Sequence, residues 1–166
     1  MRIGYGYDSH RFAAQGDGGA AKPLVLGGVE FPGEPGLVAH SDGDALVHAI
    51  IDALLGAAAI GDIGAAFPPD APEWEGADSA KMLEFVAKRI RAAGYSISNV
   101  DATVVCEHPS IRGAADLIRE RLARAMSIGK GRVSVKGKTN EGMDAVGAGA
   151  GIAVHAVCLL EEGAGL

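Results

Sequence analysis

The stretch ALVHAIIDALLGAAAIG, residues 45–61, limits the folds open to this chain more than any other. Its apolar residues run almost all the way round a helix. The spacing predicts one over about 44–59, roughly four turns long, capped by Ser41 or Asp42. A helix without a polar face is buried on most sides, so the remaining chain must wrap around it. Asp44, His48 and Asp52 interrupt the apolar surface at i, i+4 and i+8, hence along one face. Ionisable groups on a buried face are costly unless they meet partners.

A candidate partner stands near the start, in GYGYDSHRF. A strand is predicted over 2–8, and residues two apart on a strand share a face. Asp8 and His10 would therefore aim an oxygen and a nitrogen at one point just past the strand end. A hydrogen-bonded His–Asp pair would satisfy His48 as simply as a metal would. The D-x-H pair, with HSDGD directly before the helix, moves the weight toward a metal. Asp8, His10 and His48 offer two imidazole nitrogens and one carboxylate oxygen, a set that suits zinc and leaves a tetrahedral position open. No cysteine cluster is present to close such a site. Asp52 would take the other ring N–H of His48, or simply end the helix in solvent.

Around this centre, PLVLGGVEF (23–31) reads as a hairpin turned at Gly27-Gly28. A proline-rich loop follows the helix, and a second helix runs over 79–94, begun by Asp78 and stopped by Gly94. A strand over 96–108 ends at Pro109. Residues 110–126 carry the apolar stripe Ile111, Ala114, Ala115, Ile118 and Leu122 of a surface helix. Strand 132–138, a glycine-rich loop and strand 152–160 close the chain. The pattern implies a single α+β domain over 1–166, a mixed β-sheet with helices packed on one face. The other sheet face needs cover, and self-association is the default way to supply it.

A net charge of −6 and the lack of a Lys/Arg-rich block argue against nucleic acid as a partner. No apolar run is long enough for a membrane span, and the start has no signal-peptide pattern. Cys106 and Cys158 lie far apart without CxxC pairing, which points to reduced thiols and a cytoplasmic location. An acidic chain can still take a phosphorylated small molecule if metal ions or backbone N–H groups offset its anions.

Four stretches in order, GYDSH, AHSDGDALVHAIIDALLGAAAIGDIGAAFP, GADS and VKGKTNEG, resemble the 2-C-methyl-D-erythritol 2,4-cyclodiphosphate synthase family nearly end to end. The resemblance implies a homotrimer of α+β subunits, open sheet faces toward its core, with active sites between neighbours. It implies closure of 4-diphosphocytidyl-2-C-methyl-D-erythritol 2-phosphate to the cyclic diphosphate with release of CMP, a step of non-mevalonate isoprenoid biosynthesis. Carried over by motif, Asp8, His10 and His48 would hold Zn2+ or another divalent ion, and Glu141 would hold Mg2+ or Mn2+. His40 and Thr139 would stabilise the transition state. Ser41 and Lys138 would lie at the phosphates and Asp62 and Gly64 around the erythritol, and Ile63, Phe67 and Asn140 would also bind substrate. Cys106 and Pro109 would belong to the cytosine pocket, where main-chain groups read the base. Of the two lysines in RVSVKGK, Lys138 would meet phosphate and Lys136 would be solvated.

The chain departs from the family pattern in places. FPPDAP has Pro69 and Ala71 at positions that are often acidic, leaving Asp70, and Ser110 replaces a common lysine. GAGAG has Ala148 and Ala150 where relatives carry an arginine and a glutamate facing a cavity on the trimer axis. Isoprenoid diphosphates are therefore expected to bind there weakly or not at all. Two rival readings are a zinc phosphohydrolase using water, and a non-catalytic, metal-stabilised trimeric binding protein.

Overall fold

The apolar stretch forms helix α1, Ala45–Ala58, and nine of its aliphatic side chains from Ala45 to Leu55 are fully buried. The computed structural model describes residues 1–14, 22–68, 71, 74 and 76–163; Pro69 and Asp70 lie outside them. Asp44 caps α1, not Ser41 or Asp42, because the chain turns at Gly43 (φ 78°) and brings the Asp44 carboxylate over the first helical turn. Asp44 Oδ1 accepts from Val47 N at 3.0 Å and from Gly27 N at 2.9 Å, while Oδ2 accepts from Gly28 N at 2.7 Å. The cap thus also ties down the turn of the expected hairpin, β2 (Leu24–Leu26) and β3 (Val29–Phe31). Burial pushes the Asp44 pKa up to about 6, against the opposing pull of those N–H groups.

Strand β1 runs over Arg2–Arg11, longer than the predicted 2–8, so Asp8 and His10 sit within it rather than past its end. It pairs antiparallel with β6 (Gly151–Glu162), which pairs antiparallel with β4 (Tyr95–Val105). Strand β5 (Val133–Lys138) runs parallel to β4 at the far edge, giving the order β1-β6-β4-β5. Gly4 and Gly6 face α1. A Cβ on either would stand 1.9 Å from the carbonyl oxygen of Ala53 or Ala49. Two absent side chains and two alanines thus let helix and strand backbones touch, far closer than ordinary side-chain packing permits.

Short elements add to the outline. Helix α2 (Ile63–Ala66) forms in the segment read as a loop, and α5 (Asp144–Gly147) forms in the glycine-rich loop. The stretch 110–126 splits into a 3-10 turn at Ile111–Gly113 and helix α4 (Ala115–Met126). Helix α3 (Ser79–Ala92) is capped by Asp78 as expected, through Ala80 N. Helices α1, α3 and α4 share one hydrophobic core with the inner sheet face. The outer face leaves Ile3, Tyr5, Tyr7 and Val157 exposed.

Candidate metal and substrate site

The close contact of α1 with β1 sets the geometry here. His48, one residue before Ala49, reaches the β1 residues that follow Gly6 on the same face. His48 Nδ1 lies 3.1 Å from Asp8 Oδ2, and His10 Nε2 lies 2.9 Å from the same oxygen. One ligand atom from each of the three residues falls within 4.8 Å of the others. The expected trio is therefore assembled.

Hydrogen bonding shows what such an arrangement can hold. His10 Nδ1 lies 3.0 Å from the Val38 carbonyl oxygen, which can only accept, so Nδ1 carries the proton. In the neutral ring, Nε2 is then a lone pair. It is buried, and despite its closeness to Asp8 it makes no aligned hydrogen bond. A lone pair beside a carboxylate oxygen is a repulsive pairing unless a cation lies between them. Two imidazole nitrogens and a carboxylate oxygen with a vertex to spare fit zinc or a similar divalent ion. Burial alone would raise the Asp8 pKa. When the His10 and His48 rings carry a positive charge, their hydrogen bonds and charge outweigh burial and hold Asp8 well below the usual carboxylate range. The neighbouring Asp8 carboxylate raises His10 in turn.

Asp52 does not take the second nitrogen of His48. Its Oδ1 accepts from Ile63 N at 2.8 Å and so anchors α2, because His48 Nε2 is turned the other way, toward Ser41 Oγ and Ser79 Oγ. Asp62 caps α2 through Ala65 N at 2.8 Å, with Asp62 and Gly64 exposed and Ile63 half-buried. Phe67 turns its ring into the core against Trp74 and Phe85, so its side chain is not presented to a ligand. His40 is exposed beside buried Ser41.

A second group of expected residues gathers at the end of β5. Cys106 N donates to the Lys138 carbonyl at 2.9 Å, joining the base-pocket segment to the TNEG loop. Thr139 Oγ1 donates to Glu141 Oε1 at 3.2 Å, and Glu141 adopts a left-handed backbone (φ 51°). Asn140 is held on both sides, its N–H by Glu107 Oε1 at 2.9 Å and its Nδ2 by Asp144 Oδ2 at 2.7 Å. Lys138 is exposed, whereas Lys136 is not merely solvated, since it pairs with Asp101 at 2.5 Å on the outer sheet face. Cys106 Sγ donates to the carbonyl of buried Pro109, and burial pushes that thiol up to about 11.

Sequence reasoning gave no role of its own to Glu107 or to Lys22, whose Nζ donates to the Ser41 carbonyl at 2.7 Å and steadies the approach to α1. It also passed over Ser79, although GADS was visible as a run.

The two groups lie at opposite edges of the sheet. Asp8 pairs with Val154, Val154 with Val104, and Val104 with Gly137. Three strand spacings separate Asp8 from Gly137, roughly 14 Å.

A mixed sheet backed by three helices, with a carboxylate–imidazole trio at its edge, defines the class: an α+β protein with a group of side chains that could hold a metal ion. The chain belongs to the YgbB family, which matches residues 1–161. It is 48% identical over 162 residues to 2-C-methyl-D-erythritol 2,4-cyclodiphosphate synthase of Salinibacter ruber, covering 98% of this chain and 99% of that one. Among solved structures it is similar to IspF of Plasmodium falciparum in complex with CDP, with a TM-score of 0.83 and 34% identity over 98% of this chain and 96% of that chain. It is also similar to the bifunctional IspDF of Campylobacter jejuni, with a TM-score of 0.89 and 32% identity, covering 97% of this chain and 42% of that longer one.

Proposed function

We propose that the chain converts 4-diphosphocytidyl-2-C-methyl-D-erythritol 2-phosphate to 2-C-methyl-D-erythritol 2,4-cyclodiphosphate and CMP. The observation that carries this reading is the convergence of three electron-pair donors, Asp8 Oδ2, His10 Nε2 and His48 Nδ1, on one point. It occurs in a chain 48% identical to a synthase of that name along nearly its whole length. An oxygen of the 2-phosphate attacks the β-phosphorus of the diphosphate. One P–O bond forms, the P–O bond to CMP breaks, and CMP leaves with the bonding pair. Phosphoryl transfer asks a protein chiefly for positioning and charge stabilisation.

Asp8, His10 and His48 hold the divalent ion, zinc by its ligand set, which when bound polarises a phosphate oxygen as a Lewis acid. Glu141 holds a second ion, Mg2+ or Mn2+, and Thr139 steadies the Glu141 carboxylate by hydrogen bonding. Lys138 and Asn140 meet the phosphates, His40 and Thr139 stabilise charge as it develops, and Ser41 lines the phosphate side. Main-chain groups of Asp62, Ile63, Gly64 and Phe67 flank the erythritol. Main-chain groups around Cys106 and Pro109 take cytosine, in keeping with the CDP held by the falciparum protein.

The working unit is a homotrimer. Its support is the exposed outer face, with Ile3, Tyr5, Tyr7 and Val157, and the placing of half a site at each sheet edge. A cyclic array brings the β1 edge of one copy to the β5 edge of the next. The enzyme works in the cytoplasm; among the described residues no helix is long and apolar enough to cross a membrane.

Incubating the protein with the cytidylyl substrate, zinc and magnesium, then reading products by mass spectrometry, tests the proposal. CMP with the cyclic diphosphate is expected. Linear hydrolysis products indicate a phosphohydrolase instead, and no turnover indicates a binding protein.

A further inference from the structure

His48 is 8% exposed and makes polar contacts through both ring nitrogens. Nδ1 faces Asp8 Oδ2 at 3.1 Å, and Nε2 lies 3.1 Å from both Ser41 Oγ and Ser79 Oγ. A neutral imidazole has one proton, so one nitrogen donates while the other offers a lone pair. Taken alone, Asp8 would draw that proton to Nδ1. A carboxylate–imidazole hydrogen bond would then close the position to a cation.

The hydroxyl side decides otherwise. Ser79 is fully buried, and its O–H donates to Asp42 Oδ1 while its N–H donates to Asp42 Oδ2 at 2.9 Å. An ionised carboxylate only accepts, so the hydroxyl proton is committed to Asp42 and only lone pairs of Ser79 face His48. The fixed lone pairs of Ser79 favour Nε2 as the donor. Asp44 N, at 3.2 Å, holds Asp42 Oδ1 in place. Ser41 cannot fix the ring in this way. Its oxygen takes Gly43 N at 3.3 Å, and its own proton can turn toward or away from His48.

We propose that Asp42 and Ser79 are a positioning pair, holding His48 as the Nε2–H tautomer so that Nδ1 stays a bare lone pair for a divalent cation. The inference rests on the metal reading above and extends it to residues that touch neither ion nor substrate. It also gives a physical reason for HSDGD and GADS to occur in one chain. The first supplies Ser41, Asp42 and Asp44, and the second supplies the serine that Asp42 orients.

Long-range 1H–15N spectra of the histidine rings, recorded on the full metal-free chain at about pH 8 where imidazole is neutral, test this. We expect His48 as Nε2–H in the wild type. In Ser79→Ala an Nδ1–H population is expected, with zinc affinity, measured by chelator competition, reduced about tenfold to a hundredfold. Asp42→Asn, which retains one acceptor, is expected to show a smaller loss. The wild-type spectrum decides even where Ser79→Ala folds poorly. Wild-type His48 in the Nδ1–H form overturns the proposal, as does a Ser79→Ala protein with unchanged tautomer and unchanged zinc affinity. A wild-type chain that takes up no divalent ion overturns the metal reading instead, and the ring spectrum still decides the tautomer.

Discussion

At the scale of single residues, the informative atom is the Val38 carbonyl oxygen. It fixes the His10 proton on Nδ1 and so aims a lone pair at Asp8. The consequence for pH has two opposite signs. In metal-free protein the Asp8 carboxylate raises His10 above its ordinary 6.5. The stability from this pair is therefore fully present below 6.5 and is lost as pH rises through the higher folded value. Asp8, held low, contributes above its ordinary 3.8 and loses its share as pH falls through its depressed folded value. A bound cation needs His10 neutral, so protons compete with it beginning above pH 6.5. We expect zinc affinity to fall steadily from about pH 8 to about pH 6, while the melting temperature of metal-free protein rises over the same interval. Chelator competition and thermal unfolding read the two trends. A flat zinc profile would mean that His10 is no ligand. His10→Ala is expected to retain no stoichiometric zinc by elemental analysis after gel filtration.

At the scale of elements, the contact between α1 and β1 governs the site, and it is built from absences. Gly6→Ala would place a methyl 1.9 Å from the Ala49 carbonyl oxygen, which is backbone and cannot swing aside. The helix must move, and His48 moves with it relative to Asp8 and His10. We expect a loss of about 3 kcal/mol in stability by chemical denaturation, together with weaker zinc binding at temperatures where the variant is still folded. Unchanged zinc affinity would show that the helix position does not set the site. The same contact explains what the sequence could and could not reveal. The trio was legible because strand alternation places Asp8 and His10 on one face, and because i, i+4 spacing exposes a histidine on an otherwise apolar helix. The cap differs from Ser41 or Asp42 because HSDGD offers three oxygen-bearing side chains within four residues, and only the φ of Gly43 selects Asp44. The sequence offers Asp52 either to His48, because they share a face, or to solvent at the helix end. Yet each turns to a backbone or hydroxyl partner from another part of the chain, Ile63 in one case and Ser79 in the other. Such long-range partners leave no periodic trace.

For the whole molecule, the proposed function requires one site to draw on two edges of one sheet. Roughly 14 Å separates Asp8 from the β5 row that leads into Thr139 and Glu141, more than adjacent phosphates on one substrate can bridge. Head-to-tail contacts that close into a ring bring the opposite edges of neighbouring copies together. The axis of such a ring passes the open sheet faces. If the proposed ring sets Ala148 and Ala150 at its axis, as the family resemblance implies, they offer no cation there, and calorimetry is expected to show weak or no binding of geranyl diphosphate. A shared site also has a genetic signature. Asp8→Ala disables the metal half and Glu141→Gln disables the other, so each protein alone should be inactive. When equal amounts are unfolded together and reassembled, a Glu141→Gln copy can present its intact Asp8 edge to the intact Glu141 edge of an Asp8→Ala neighbour. Random mixing in a ring makes about one contact in four fully intact, so roughly a quarter of wild-type activity should return. If both halves of the site came from the same chain, every site in the mixture would carry one defect, and mixing would restore nothing.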